Sequence, residues 1–445
     1  MSLQPGPQTI QAAELLKSCL PPGWSPIRLK YLLATLVTDG PHTTPEFLFE
    51  GLPFLSVDGI QDGELVFEKC RYVSEVDHRE FRRKAAPRRN DILLGKAAST
   101  GKIARVKVDT EFSIWSPLAL IRPDQRKVLS SFLEYGLKSP VLQSQIDDLC
   151  TSNTQKNISM ADIPSLVLPL PGLDRQQQVA EFLDRETSRI DGLIAEKERM
   201  LALLEEKRSA LISRVVTRGL DPNVPLKASG REWLGEIPAH WDLQPIKYLA
   251  EVGNGSTPSV ENEDYWGEEG FPWLNSSVVN QLVVSSPSRF VTNRALRECH
   301  LPVIHPPAVL VGITGQGKTR GMAAVLAIKA TINQHLAYLK PRDERLHTDY
   351  LRAVLAHAYA FMRSDSDGAG STKGAITCEQ LANMKVPLPP SDEQQVIVSY
   401  IQKFRETAEP LHLSIRTSLS LLRERRSALI AAAFMGQIPT EELAP

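Results

Sequence analysis

The chain is written twice. Trp24, Lys30, Tyr31 and Leu32 recur as Trp241, Lys247, Tyr248 and Leu249, and Gly51, Pro53 and Leu55 recur as Gly270, Pro272 and Leu274. Ile114, Leu118, Ala119 and Pro123 match Ile332, Leu336, Ala337 and Pro341, and Arg208-Ser-Ala-Leu-Ile212 matches Arg426-Ser-Ala-Leu-Ile430. The offset stays between 217 and 219 at every anchor. A period near 218 is too long for a solenoid and implies two whole domains in tandem, related by a pseudo-two-fold axis. The length of 445 residues suits a multidomain chain.

Each copy has two parts. The first is rich in Pro and Gly, with apolar runs such as Asp91-Ile-Leu-Leu-Gly95 and Ala308-Val-Leu-Val-Gly312 that read as buried strands closed by turns. The second reads as one long helix, from about Asp174 to Val216 and again from about Asp392. Asp174 with Gln177, and Asp392 with Gln395, resemble N-cap signatures. A 4-3 stripe runs through Val179, Leu183, Ile190, Leu193, Leu201, Leu204, Leu211 and Val215, interrupted by Glu186, Lys197 and Arg208. Its twin runs through Ile397, Ile401, Phe404, Ala408, Leu411, Ile415, Leu419, Leu422, Leu429 and Ala433, broken only by Arg426. Stripes this long predict two helices packed as a coiled coil. Gly192 and Pro410 stand at equivalent positions, both unfavourable inside a helix. They predict a bend or break there. The fold class expected is α+β: two tandem α/β domains separated by two long antiparallel coiled-coil helices. The boundaries read as 1–168 for the first domain, 169–220 for the central helix, 221–240 for a connector, 241–386 for the second domain, and 387–445 for the distal helix and tail.

Composition narrows the function. With 51 Lys and Arg against 52 Asp and Glu, a globally basic nucleic-acid binder is excluded, so any such surface is a local patch. The five cysteines are odd in number and scattered, which argues against a disulfide framework or a zinc site and for a reducing cytoplasm. No apolar run is long enough to span a membrane.

One stretch, Gly312-Ile-Thr-Gly-Gln-Gly-Lys-Thr319, matches the phosphate-binding G-x-x-x-x-G-K-[ST] pattern. That pattern needs a helix directly after it, whereas a run reading as strand follows here. Its twin, Gly95-Lys-Ala-Ala-Ser-Thr-Gly-Lys102, has one residue too many to match. A Gly-rich turn between strands is the favoured reading; a P-loop nucleotide-binding protein is kept as the alternative. No catalytic signature of another kind is present, and no metal cluster is expected.

Basic and polar clusters are more informative. His78 to Asn90 carries six Lys or Arg, including Arg82, Arg83, Arg88 and Arg89, against one Glu. The neighbouring loops hold Lys96, Ser99, Thr100 and Lys102, then Thr154, Gln155, Lys156 and Asn157. Copy two offers Thr314, Gln316, Lys318, Thr319 and Arg320, then Ser371, Thr372 and Lys373. Lys and Arg supply the salt-dependent phosphate contribution, and amide, hydroxyl and guanidinium groups read base edges.

Beyond these, several segments resemble the specificity subunit of type I restriction–modification systems over nearly the whole chain. They are PLPGLDRQQQVAEFL at 169–183 and PLPPSDEQQVIVSYI at 387–401, the KRSALI and RRSALI helix ends, and the connector Trp233 to Trp241. The loops Thr38-Asp-Gly-Pro-His-Thr-Thr-Pro45, Gly255-Ser-Thr-Pro258 and Thr154-Gln-Lys-Asn-Ile158 belong with them. Gly172 and Arg175 depart from the family's usual Pro and Glu, and Ser391 from its Leu. The resemblance implies a non-catalytic subunit in which each domain reads one half of a split duplex DNA target, adding Thr38, His42, Thr43, Ser256 and Thr257 to the candidate contacts. It implies that the helices set the spacing and dock two methyltransferase subunits, through residues such as Val179, Leu183, Ile190, Leu201, Leu211, Ile397, Ile401, Phe404, Leu419 and Leu429. Motor-nuclease subunits would join that core. No cofactor is expected on this chain; S-adenosylmethionine, ATP and Mg2+ would belong to the partners. A tandem protein-binding scaffold is the further alternative.

Overall fold

The computed structural model describes residues 14, 16–68, 70–150, 156–315, 317–367 and 374–443. They form two compact units. Unit 1 comprises residues 1–198 and 416–445, and unit 2 comprises residues 199–415. Neither unit is one domain plus its own helix: the first long helix, Leu173–Arg218, and the second, Ser391–Phe434, each contribute to both.

The duplication is visible strand by strand. In unit 1 an antiparallel sheet runs Thr38–Asp39, Leu118–Ile121, Ile92–Gly95, Ile103–Arg105. In unit 2 the twin order is Ala250–Asn254, Leu336–Pro341, Ala308–Gly312, Ala323–Leu326, extended by Val283–Val284 in parallel. The central strands, such as Ile92–Gly95 and Ala308–Gly312, are buried on both faces, which is why they read as unbroken apolar runs. A second small sheet in unit 1 joins Arg71–Val73, Leu52–Leu55 and Ser113–Ile114, the last pair parallel. Its twin joins Arg289–Val291, Phe271–Leu274 and Thr331–Ile332 with the same sense. A two-stranded ladder ties the start of each globular part to its end, Ser25–Arg28 to Val167–Leu170 and Asp242–Pro245 to Lys385–Leu388. The connector is itself structured, pairing Leu226–Ala228 with Glu236–Pro238.

The helices differ from the sequence expectation in three respects. The break is absent: both run uninterrupted through Gly192 and Pro410. Pro410 and Glu406 are exposed, so the carbonyl that loses its N–H partner at 410 faces water. Asp174 and Asp392 lie inside the first turn, where they favour the helix dipole, rather than at the cap. The stripe also does more than join two helices. Val179, Leu183 and Ala433, with Ile430 and Phe434 beside the stripe, pack into the core of unit 1 with Phe132 and Leu133, and Val215, Ile397 and Ile401 pack into the core of unit 2 with Tyr350 and Leu351. Mid-helix, Leu193 and Leu411 are exposed. Within unit 1, residues 173–198 run antiparallel to 416–434, as Arg426 Nε on Asp191 (2.8 Å) and Arg423 on Glu198 (2.7 Å) require. His412 and Glu205 make the corresponding approach in unit 2, at 3.7 Å.

Candidate nucleic-acid interface

In each unit, loops distant in sequence converge at one end of the main sheet. In unit 1 Lys96 N donates to Pro117 O (2.8 Å), Ser116 N to Pro41 O (3.2 Å) and Ile158 N to Lys96 O (3.0 Å). Thr100 Oγ1 adds a bond to Lys156 O at 2.7 Å. This gathers the loops carrying His42 and Thr43, Lys96 to Lys102, and Lys156 and Asn157. Unit 2 repeats the pattern: Ile313 N donates to His335 O (3.0 Å), Ser256 N to Ile332 O (3.0 Å) and Ile376 N to Ile313 O (2.8 Å). The first loop of each cluster lies flat against the neighbouring strand because of a glycine. A Cβ on Gly40 would sit 1.7 Å from Ile114 O, and one on Gly255 would sit 1.8 Å from Ile332 O.

The P-loop-like stretch is part of this cluster, and it closes a β-hairpin. Gly312 N donates to Met322 O (3.0 Å) and Gly321 N to Gly312 O (2.8 Å), and the antiparallel strand Ala323–Leu326 follows. Gly95 and Lys102 close the twin hairpin at 2.8 Å. A strand rather than a helix follows each loop directly, Ala323–Leu326 in unit 2 and Ile103–Arg105 in unit 1, so the helix start that the pattern requires does not follow it.

Charges are arranged differently from their order in sequence. Asp39, 4% exposed, accepts from Lys84 and from Lys96 Nζ at 2.9 Å, and His42 Nε2 lies 3.3 Å away. Burial pushes its carboxyl up, but the two lysines outweigh that and hold it below the ordinary value of 3.8. Lys96 is therefore held inside the unit. Arg82 pairs with Glu111 (3.0 Å), and Arg89 grips Asp109 with two bonds of 2.7 and 2.8 Å. His78 is buried beside Ser113, 2.9 Å from its hydroxyl. Within the run from His78 to Asn90, Arg83 and Arg88 are the exposed cations without an ion pair among the described residues. Arg88 and Arg89 precede the strand Ile92–Gly95 and Lys96 follows it, so the structure sets them at opposite ends of the sheet.

Of the remaining candidates, Thr38 pairs with Leu120 in the sheet, Ser99 N bonds Ala97 O within its loop, Lys102 Nζ donates to Ile60 O (2.9 Å), and Lys156 pairs with Asp147 (2.7 Å). In unit 2 Thr257 donates to Gln334, and Thr314 Oγ1 lies 2.7 Å from His335 Nδ1. Lys318 is exposed, Thr319 is half-buried, and Arg320 is 4% exposed and so turned away from the surface. Thr154, Gln155, Gln316, Ser371, Thr372 and Lys373 lie outside the described residues. Sequence reasoning missed Gln334, His335 and a stacked pair present in both units. Arg71 lies over Phe47 at 4.8 Å, and Arg289 over Trp266 at 4.1 Å. Both pairs obey the repeat offset, which was the available signal.

The docking candidates need a correction. Val179, Leu183, Ile190, Ile397, Ile401 and Leu419 are buried within their own units, and Leu201, Leu211, Phe404 and Leu429 are half-buried. The six buried ones face the chain's own core and are not free to meet another protein without rearrangement. The apolar side chains that the helices expose are others, among them Leu193, Met200, Leu203, Tyr400, Leu413 and Leu421.

Two duplicated sheets, each presenting a polar loop cluster, and two helices shared between units define a two-domain recognition protein. The Type I restriction modification DNA specificity domain matches residues 52–199 and 238–416, well over half of the chain. The chain belongs to that family, as a DNA sequence-recognition subunit without a catalytic role of its own. It is 25% identical over 369 residues to the putative type I restriction enzyme MjaX specificity subunit of Methanocaldococcus jannaschii, covering 81% of each chain. It is 24% identical to the type I restriction enzyme EcoKI specificity subunit of Escherichia coli K12, covering 95% of this chain and 90% of that one. A solved structure from work on complex assembly and conformational transition of the type I R-M system shares the fold, with TM-score 0.70 at 19% identity over 94% of this chain and 99% of that one. Among the described residues no helix is long and apolar enough to cross a membrane.

Proposed function

We propose that the chain reads a split duplex target, one half with each loop cluster, while methyltransferase subunits dock on the exposed flanks of its helices. The observation that carries this reading is a single scaffold built twice with different side chains on its loops: Lys96, Thr100 and Lys156 in one copy, Thr257, Thr314, Gln334 and His335 in the other. Equal scaffolds with unequal donors and acceptors suit two unequal half-sites. Motor-nuclease subunits complete the assembly in a cytoplasm, with S-adenosylmethionine, ATP and Mg2+ serving the partner chains.

Exchanging residues 24–165 for the corresponding domain of another family member tests the reading. Adenine-methylation mapping should show one half of the target changed and the other kept. A change in both halves would refute modular reading. The scaffold alternative is separated by Arg83 and Lys318, which are exposed. Their replacement by Ala should weaken duplex binding and flatten its salt dependence by about one counterion for each phosphate no longer neutralised.

A further inference from the structure

Unit 2 is open where unit 1 is closed. Across the repeat Glu134 becomes Arg352, Tyr135 becomes Ala353, Asp184 becomes Gln402 and Thr187 becomes Arg405. In unit 1 these positions fill the space between the helix Ser130–Lys138 and the first long helix. The Tyr135 hydroxyl donates to Asp184 Oδ1 at 2.6 Å and lies 3.1 Å from Thr187 Oγ1. Glu134 is buried and accepts from Arg105 (2.8 Å) and Lys138 (2.6 Å). In unit 2 a pocket lies between the helix Thr348–His357 and the second long helix, lined by apolar side chains such as Val283 and Val398, by Arg352 and Arg405, and by Asp349 and Glu406.

Arg352 is 9% exposed and lines this pocket. It has no ion pair and no side-chain hydrogen bond among the described residues, in contrast to the doubly bonded Glu134. Two acids, Asp349 and Glu406, line the pocket as well, but neither pairs with Arg352. Glu406 takes the Gln402 amide at 3.1 Å, and Asp349, one turn before Arg352, is exposed. Burial depresses the guanidinium's affinity for its proton; Asp349 opposes that, while Arg208 and Arg405 add to it. Its five donors find no acceptor within the chain among the described residues, so whatever fills the pocket, water or a partner group, must supply them.

We propose that the pocket receives an Asp or Glu side chain of the methyltransferase subunit, paired to Arg352. This rests on the docking reading above and names its chemistry. A planar carboxylate matches the guanidinium fork. Leu282, Val283 and Val398 suit the methylene stem that carries it. A duplex phosphate is borne on a broad rod that does not enter a recess between two packed elements. At the equivalent position unit 1 has Glu134, bonded to Arg105 and Lys138, in place of the unpaired arginine, so the anchor is assigned to unit 2.

The test uses the full chain titrated with its methyltransferase subunit, comparing wild type with Arg352→Met and Gln402→Glu. The second variant supplies a carboxylate from the chain's own exposed helix surface, and it decides alone if the first fails to fold. Both should weaken assembly by roughly ten-fold or more, and reversing one acid of the methyltransferase subunit to Arg should restore binding to Arg352→Glu. Tight wild-type assembly that both variants leave within two-fold would overturn the pocket's role alone. A wild-type chain that bound no methyltransferase subunit would overturn the docking reading and the proposed occupant together. Weakened duplex DNA binding with assembly unchanged would put a phosphate in the pocket and overturn the carboxylate.

Discussion

Gln176 and Gln394 stand at the same position in the two copies, fully buried at the start of the long helices. Gln176 donates to Pro171 O (2.9 Å) and Lys127 O (3.1 Å) and accepts from Leu129 N (2.8 Å). Gln394 repeats this with Pro389 O, Arg345 O and His347 N at 2.9, 2.8 and 2.9 Å. One side chain thus ties each helix start to the loop that leads into Ser130–Lys138 in unit 1 and Thr348–His357 in unit 2. Gln176→Ala should destabilise unit 1 by about 2–4 kcal/mol in urea unfolding, since buried backbone groups would be left unpaired. In the sequence these glutamines show only as a Gln-rich helix start. A cap is a local pattern and is legible there, whereas this tie is tertiary and is not. Charge pairing was illegible for the same reason: the partners of Arg82 and Lys84 come from 29 and 45 residues away. The Asp39 cluster gives a pH signature. Folding lowers the Asp39 pKa, so below about pH 4 the unfolded chain takes up the proton first. The stability contributed by the cluster is full above the ordinary value of 3.8 and is lost as pH falls through the folded value. Urea midpoints measured from pH 6 to pH 3 should therefore fall more steeply in wild type than in Asp39→Asn.

At the scale of elements, the strands, the hairpin turns and both long helices were legible, because apolar runs and periodic stripes report burial directly. Helix continuity at Gly192 and Pro410 was not, because propensity counts the penalty of a residue without saying whether water can meet the freed carbonyl. Both penalties persist in the folded helices and should be recoverable. A Cβ on Gly192 would meet open space, so Gly192→Ala should stabilise by about 1 kcal/mol. Pro410→Ala should stabilise by up to about 3 kcal/mol. Unfolding midpoints in denaturant check both; a loss of stability in Pro410→Ala would show that the helix is adapted to proline.

At the scale of the molecule, each long helix belongs to both units, so its length is a candidate determinant of the spacing between half-sites. Inserting four residues near Ser188, about one turn, should lengthen the unread spacer of the methylated target in an active variant. An unchanged spacer in methylation maps would remove the helices from that role. Family and architecture could be read from the repeat together with its motifs. The shared helices could not, since periodicity gives a stripe but not its partner.

The mixed composition of the units has a bearing on ancestry. Residues 416–434 pack into unit 1 as the equivalent residues 199–216 pack into unit 2, so a half-length chain ending near residue 220 could close itself by exchanging helix ends with a second copy. Side-chain volume records what has changed since. Phe434 fills the space over Gly136, where a Cβ would stand 2.3 Å from its ring, whereas the twin positions, Val216 and Val354, divide the bulk between two medium side chains. A homodimer of residues 1–220 would place Val216 over Gly136 and leave a void. It should form but be weak, and Val216→Phe should strengthen it by about 1–2 kcal/mol, measured by sedimentation. A half-length chain that folded as a monomer would show that the two copies never needed each other's helices.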